Sequence, residues 1–236
     1  MENTKATNQL VIKNFSEKDF NFIHPMRLLV AGPSSSGKTT WVHSLIKNSE
    51  HLISPQIDKI YYVYDIWQPC FEKIKNQVTF TQDMDILDME NEKKLNILIC
   101  LDDLQEELLT HIKSLKNMMT KRSHHLNISV IIILQNAFAN SSFTTTICNN
   151  LSNYYLTKHY CSLDQINVLS RHLGGQNGSK EFMEAYRMAT SEQFQGLFID
   201  IHPCSKTKDI FPFRYYNNGN IMEPIFLINS KNTHAL

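Results

Sequence analysis

The run Gly32-Pro33-Ser34-Ser35-Ser36-Gly37-Lys38-Thr39 satisfies the pattern G-x-x-x-x-G-K-[ST], and Thr40 completes the stretch. The apolar segment 27–31 before it predicts a strand, and residues 37–49 after it predict a helix. A loop in that position can wrap a phosphate group with its backbone N–H groups turned inward. Gly32 and Gly37 remove the Cβ atoms that would block so close an approach. The helix start adds unpaired N–H groups and the positive end of its dipole. Lys38 supplies a cation for the β- and γ-phosphates of a nucleotide, and the Thr39 hydroxyl a ligand for Mg²⁺. The pattern therefore predicts ATP and Mg²⁺ at residues 32–40.

A phosphate loop does not specify a reaction. Asp102 and Asp103 narrow the choice, because they close the apolar run 95–101. That places both at the carboxyl end of a buried strand, where ligands of open α/β sheets bind. Asp102 is positioned to hold Mg²⁺, and Asp103 to act as general base on an attacking water. Gln135 ends a second apolar run, 127–134. Its amide can donate to a γ-phosphate and accept from the water, which suits a residue that senses hydrolysis.

The elements that must position these groups alternate. Strands are expected at 27–31, 59–64, 95–103, 127–136, 153–158 and 196–202, with further strands at 78–80 and 211–216. Helices are expected at 37–49, from Leu104 along a stripe through Leu108, Leu115 and Met119, and at 162–173 and 179–190. A turn at 174–178, Gly-Gly-Gln-Asn-Gly, should separate the last two. Alternation of this kind predicts an α/β fold, a P-loop NTPase with a largely parallel central sheet flanked by helices. The expected organisation is a lead-in segment at 1–24, one ATPase domain at 25–216 and a tail at 217–236.

With 236 residues, 42% hydrophobic and 19% charged, the chain can bury a core. Its 23 basic and 23 acidic residues balance, so the total charge does not argue for tight nucleic-acid binding by a single copy. The distribution is uneven. Nine carboxylates lie between Asp83 and Glu107, and none between Leu108 and Ser162, where Lys113, Lys116, Lys121, Arg122 and Lys158 stand. Five scattered cysteines without a CxxC pair fit a reducing compartment. Neither a signal peptide nor a membrane span is evident, so no membrane partner and no secretion are expected.

Five segments together resemble a known group: GPSSSGKTT, KIYYVYDIWQP, NILICLDDL, RSHHLNISVIIILQNAF and NYYLTKHYCSLDQINVLSRHL. In order and spacing they are similar to viral genome-packaging ATPases, in the poxvirus-like and Polinton- or adintovirus-like branch of the FtsK/HerA superfamily. The resemblance covers roughly residues 25–215 and rests mainly on the fourth segment. It implies an additional-strand ATPase core and a homo-oligomeric ring. It also implies ATP-driven movement of double-stranded DNA into a viral capsid, at a portal-like vertex, in the host nucleus or cytoplasm or with the virion.

The resemblance matches Lys38 and Thr39 to the phosphate-loop pair, Asp102 and Asp103 to the acidic pair, and Gln135 to the sensor. Lys158 and Arg171 match basic positions. One departure is visible: Cys161 stands where relatives carry an arginine. An arginine supplied by a neighbouring subunit contributes about 10³–10⁵ in rate. The expected candidates here are Arg122, then Arg171, with Arg187 and Arg214 more distal. Two other functions fit a phosphate loop. A nucleotide or small-molecule kinase would need an arginine-rich lid, which this sequence lacks. A non-hydrolysing, nucleotide-binding assembly subunit would bind without turnover.

Overall fold

The computed structural model describes residues 15–91, 93–135, 147–159, 163–210, 212–216 and 220–227. Eleven strands appear among them: β1 (Phe22–Ile23), β2 (Arg27–Ala31), β3 (Ile53–Ser54), β4 (Lys59–Tyr64), β5 (Thr79–Thr81), β6 (Ile97–Asp102), β7 (Ile128–Leu134), β8 (Asn153–Thr157), β9 (Gly196–Asp200), β10 (Phe213–Tyr216) and β11 (Pro224–Leu227). Nine of them form one sheet, in the order β11-β10-β9-β8-β2-β7-β6-β4-β5. The six strands from β5 to β8 are parallel, whereas β9, β10 and β11 run antiparallel. β1 and β3 pair separately.

Strand β7 carries Gln135 just past its end and lies between the phosphate-loop strand β2 and the acidic strand β6. This inserted strand is the feature of an additional-strand ATPase core. All seven of its residues are buried, as expected for an interior parallel strand with apolar side chains on both faces. Alternate residues serve two cores. Leu29, Leu101, Ile132 and Leu156 face one side, and Leu28, Cys100, Ile131 and Tyr155 face the other.

Helix α1 (Lys38–Lys47) packs on the second face through Trp41, Val42, Leu45 and Ile46. The Trp41 indole stacks on the Tyr155 ring at 4.0 Å between centroids. α2 (Gln105–Thr110), α3 (Ile112–Asn117) and α4 (Leu163–Ala189) cover the first face.

Three expectations change. The helix predicted from Leu104 is broken at His111 and passes into a wider, π-type turn at Met118–Arg122. That turn lets the consecutive Met118 and Met119 both enter the core. The turn expected at 174–178 is instead part of the continuous α4. Its three glycines cost about 1 kcal/mol each relative to Ala. Burial of Ile166 and Leu169 before them and of Phe182, Met183 and Tyr186 after them anchors the helix on both sides of the glycines. The segment placed in a tail supplies β11, which adds to the sheet edge. Among the described residues, no helix is long and apolar enough to cross a membrane.

At the amino ends of the parallel strands the buried Arg214 pairs with the buried Asp200 at 3.1 Å. Asn153 and Ser205 donate to the same carboxylate, and Arg214 donates to the Phe20 carbonyl at 2.6 Å. Removing one partner would strand a buried charge. Arg214→Ala should therefore lower unfolding free energy by about 3–5 kcal/mol, measured by urea denaturation.

Burial also holds His24 and His43 neutral, with pKa values lowered to about 4. Both are uncharged in the folded and unfolded chain above pH 6.5. As pH falls from 6.5 toward 4, only the unfolded chain takes up those protons, so stability must decline. The buried Asp102, raised to about 6, works in the opposite sense below pH 6. The denaturation midpoint of His24→Gln should fall less between pH 7 and 4.5 than that of the wild type.

Candidate functional site

The parallel strands end level with one another. Ala31 lies beside Leu134, and Asp102 beside Ile133. The loops leaving β2, β6 and β7 therefore converge on one cleft of about 620 Å³. That is within the range of nucleotide and drug-sized sites. Residues 34–40 line it together with Asp102, Asp103 and Gln135.

The loop has the backbone that its glycines require. Gly37 caps α1 at φ +91°, a left-handed conformation that a side chain disfavours. A Cβ on Gly32 would lie 1.7 Å from the Thr157 Oγ1 at the end of β8. No other residue type fits at position 32. The Thr157 hydroxyl also donates to Ser36 Oγ at 2.8 Å, tying the loop to β8.

The Lys38 side chain curls back over the loop and donates to the carbonyls of Gly32 and Pro33, both at 2.8 Å. Burial pulls its ammonium pKa down, while the charges of Asp103 and Asp102 oppose that shift. The result is a partly desolvated cation beside two carboxylates. A triphosphate arriving here would replace weak carbonyl acceptors with anionic oxygens.

Asp102 and Asp103 are adjacent in sequence but differ in setting. Asp102 is buried, and its Oδ2 accepts a 2.5 Å bond from the Tyr62 hydroxyl and a 3.5 Å contact from Thr39 Oγ1. The His43 Nε2 lies 3.3 Å from the same Tyr62 oxygen. Burial raises the Asp102 pKa to about 6, against the Tyr62 bond, which favours ionisation. Asp103 turns out of the strand at φ +57° and is exposed at the cleft mouth. There Gln135 Nε2 donates to its Oδ2 at 2.8 Å. The expected base and the expected sensor are thus hydrogen-bonded to each other.

Thr39 and Asp102 present hard oxygen donors side by side, which fits Mg²⁺ with most of its water shell retained.

The arginines were expected to serve a neighbouring subunit's cleft, not their own. Among the cleft-lining residues there is no arginine. Arg122 lies at the opposite edge of the sheet, before β7. Its guanidinium donates to the carbonyls of Asp88 and Met89 and pairs with Glu90. All three contacts run through Nη2 and hold the head against its own subunit. Arg214 is consumed by Asp200. Arg171 is exposed on α4, with its Nε donating to the Asn167 carbonyl. Cys161 lies outside the described residues. Sequence reading missed Tyr62, His43, Thr157 and Phe194. Of these, Tyr62 alone carried a signal, since alternation in β4 puts it on the same face as Tyr64, the register neighbour of Asp102.

With this geometry in place, known structures supply the comparison. The genome-packaging NTPase B204 of Sulfolobus turreted icosahedral virus 2, solved with ATP-γ-S, superposes with a TM-score of 0.53. The match has 11% identity and covers 75% of this chain and 93% of that one. The fold is that of a P-loop ATPase. The cytoplasmic domain of the Thermomonospora curvata type VII secretion ATPase EccC also matches, with a TM-score of 0.50 and 12% identity, over 75% of this chain and 24% of that one. These neighbours agree with the P-loop ATPase fold expected from the motifs. No family model and no curated protein sequence matches the chain.

The Tyr62 bond makes a direct prediction. Tyr62→Phe removes a donor that favours the charged carboxylate, so the Asp102 pKa should rise further above about 6. Carboxyl-carbon NMR titration of the nucleotide-free protein reads this shift.

Proposed function

We propose that this chain is an ATP-hydrolysing motor that moves double-stranded DNA into a viral capsid. The observation that carries the catalytic half is the convergence of Lys38, Asp102, Asp103 and Gln135 from three strand ends on one cleft. The particular task is supported by the motif resemblance and by the fold shared with a packaging NTPase.

In this reading the backbone N–H groups of residues 34–38 hold the β- and γ-phosphates, and Lys38 neutralises charge between them. Thr39 and Asp102 would hold Mg²⁺, which would supply positive charge to offset that on the leaving group. Asp103 accepts a proton from the water that attacks the γ-phosphorus. Its exposed carboxylate can reach that water, which a fully buried group could not. Gln135 orients the Asp103 carboxylate through the bond at 2.8 Å. When γ-phosphate leaves, the Gln135 amide loses one set of partners and keeps the other, so the end of β7 senses the step.

The DNA contact is best sought on the carboxylate-free stretch. Lys113, Lys116 and Lys121 are exposed along α3 and the π-type turn. A ring sums a few such charges from each copy into one salt-sensitive attraction. The exposed Arg171 and Arg187, both on α4, are the remaining candidates for a charge supplied to a neighbour's cleft.

The deciding experiment is ATP turnover with and without double-stranded DNA for the wild type, Lys38→Ala and Asp103→Asn. Hydrolysis by the wild type should rise with DNA. Both variants should lose about 10²–10⁴-fold in turnover, and only Lys38→Ala should also lose much ATP affinity. Equal turnover in all three proteins would overturn the catalytic assignments. Turnover indifferent to DNA would overturn the motor reading and leave an ATPase.

A further inference from the structure

We propose that Phe194 is the platform on which the nucleobase stacks; this inference rests on the ATP-binding reading above. The order of the strands gives the bound triphosphate a direction. Asp102, Asp103 and Gln135 all lie on the β7–β6 side of the phosphate-loop strand, which marks the γ-phosphate end. The nucleoside must therefore project toward the other side of β2, where β8 and β9 lie.

Phe194 stands on that side. It comes two residues before β9, whose first residue, Gly196, pairs with Thr157 at the carboxyl end of β8. Its side chain lines the same cleft as the phosphate loop. Its Cβ and Cδ1 lie 3.4 and 3.5 Å from where a Cβ on Gly37 would be, directly against the start of α1. Thr40, one turn into that helix, lines the cleft too.

Two features mark Phe194 as more than packing. Phe194 is 55% exposed, although the chain is buried from Gln195 onward. It also sits at φ +63°, a left-handed conformation costly for a bulky side chain. Strain that leaves an aromatic face in solvent beside an anion-binding loop gains nothing for the core. It makes chemical sense when a planar π-system lies on the face. Trp67, another exposed aromatic, is engaged elsewhere, in edge contacts with Tyr64, Phe71 and Phe80.

The test separates base from phosphate. Calorimetry would measure ATP, GTP and inorganic tripolyphosphate binding to the wild type, Phe194→Ala and Phe194→Trp. Stacking on a base is worth about 5- to 100-fold in affinity and tolerates any base. Phe194→Ala should weaken ATP and GTP by a similar factor in that range and leave tripolyphosphate unchanged. Phe194→Trp should restore both nucleotides. Unchanged ATP affinity in Phe194→Ala overturns the proposal. So does an equal loss for tripolyphosphate, which would make Phe194 a prop for the loop. A wild type that binds neither ATP nor tripolyphosphate would instead overturn the nucleotide reading itself. The exposed position of Phe194 leaves the core intact, and circular dichroism of each variant confirms the fold.

Discussion

Everything at the site depends on three parallel strands ending at the same height. β2, β7 and β6 are buried on both faces, and their side chains alternate between two separate cores. A slip of one residue in any of them would exchange every side chain between those cores. Register is therefore held by the whole apolar content of the sheet, not by the polar groups at its edge. The consequence is that Lys38, Asp102 and Gln135 can be placed by hydrophobic burial of residues that never touch a ligand. The sheet's amino edge is fastened independently, by the Arg214–Asp200 pair and its hydrogen bonds.

The two neighbouring aspartates show how one strand end yields two chemistries. Asp102 continues the strand and stays inside, where burial favours the protonated acid and Tyr62 counteracts it. Asp103 leaves the strand in a left-handed turn, a conformation that Asp tolerates better than most residues. Its carboxylate reaches the cleft mouth and meets Gln135. A desolvated carboxylate suits a metal, because the cation restores the lost solvation. A solvated one suits a base that must exchange protons with water. The difference comes from backbone direction over a single residue.

Much of this was legible in the sequence, and for identifiable reasons. β4 and β7 were plain because β-branched and aromatic residues fill runs that only a sheet interior can bury. The phosphate loop was plain because close approach demands Gly at positions 32 and 37. The long α4 was not, since three glycines within five residues look like a turn until the packing on either side is known. β11 was missed because a four-residue edge strand carries little periodicity of its own. Arg122 illustrates the limit of reasoning from charge. Its sequence neighbourhood suggested a reaching cation, and in the fold its Nη2 donates to two backbone carbonyls of its own subunit. Phe194 was invisible because it belongs to no periodic element and is brought to the loop only by the antiparallel turn of β9.

That antiparallel extension also explains how events in the loop can be felt elsewhere. β8 presses its last residue against the phosphate loop, where Thr157 occupies the space of the missing Gly32 side chain and bonds Ser36. The carbonyl of the same threonine accepts from the Tyr186 hydroxyl at 3.1 Å, and that hydroxyl accepts from the His159 amide at 2.9 Å. Tyr186 belongs to α4, a helix of 27 residues that spans one face of the sheet. Thr157 thus links Ser36 of the phosphate loop to Tyr186 of α4 within a single residue. The same helix bears Arg171 on its exposed side.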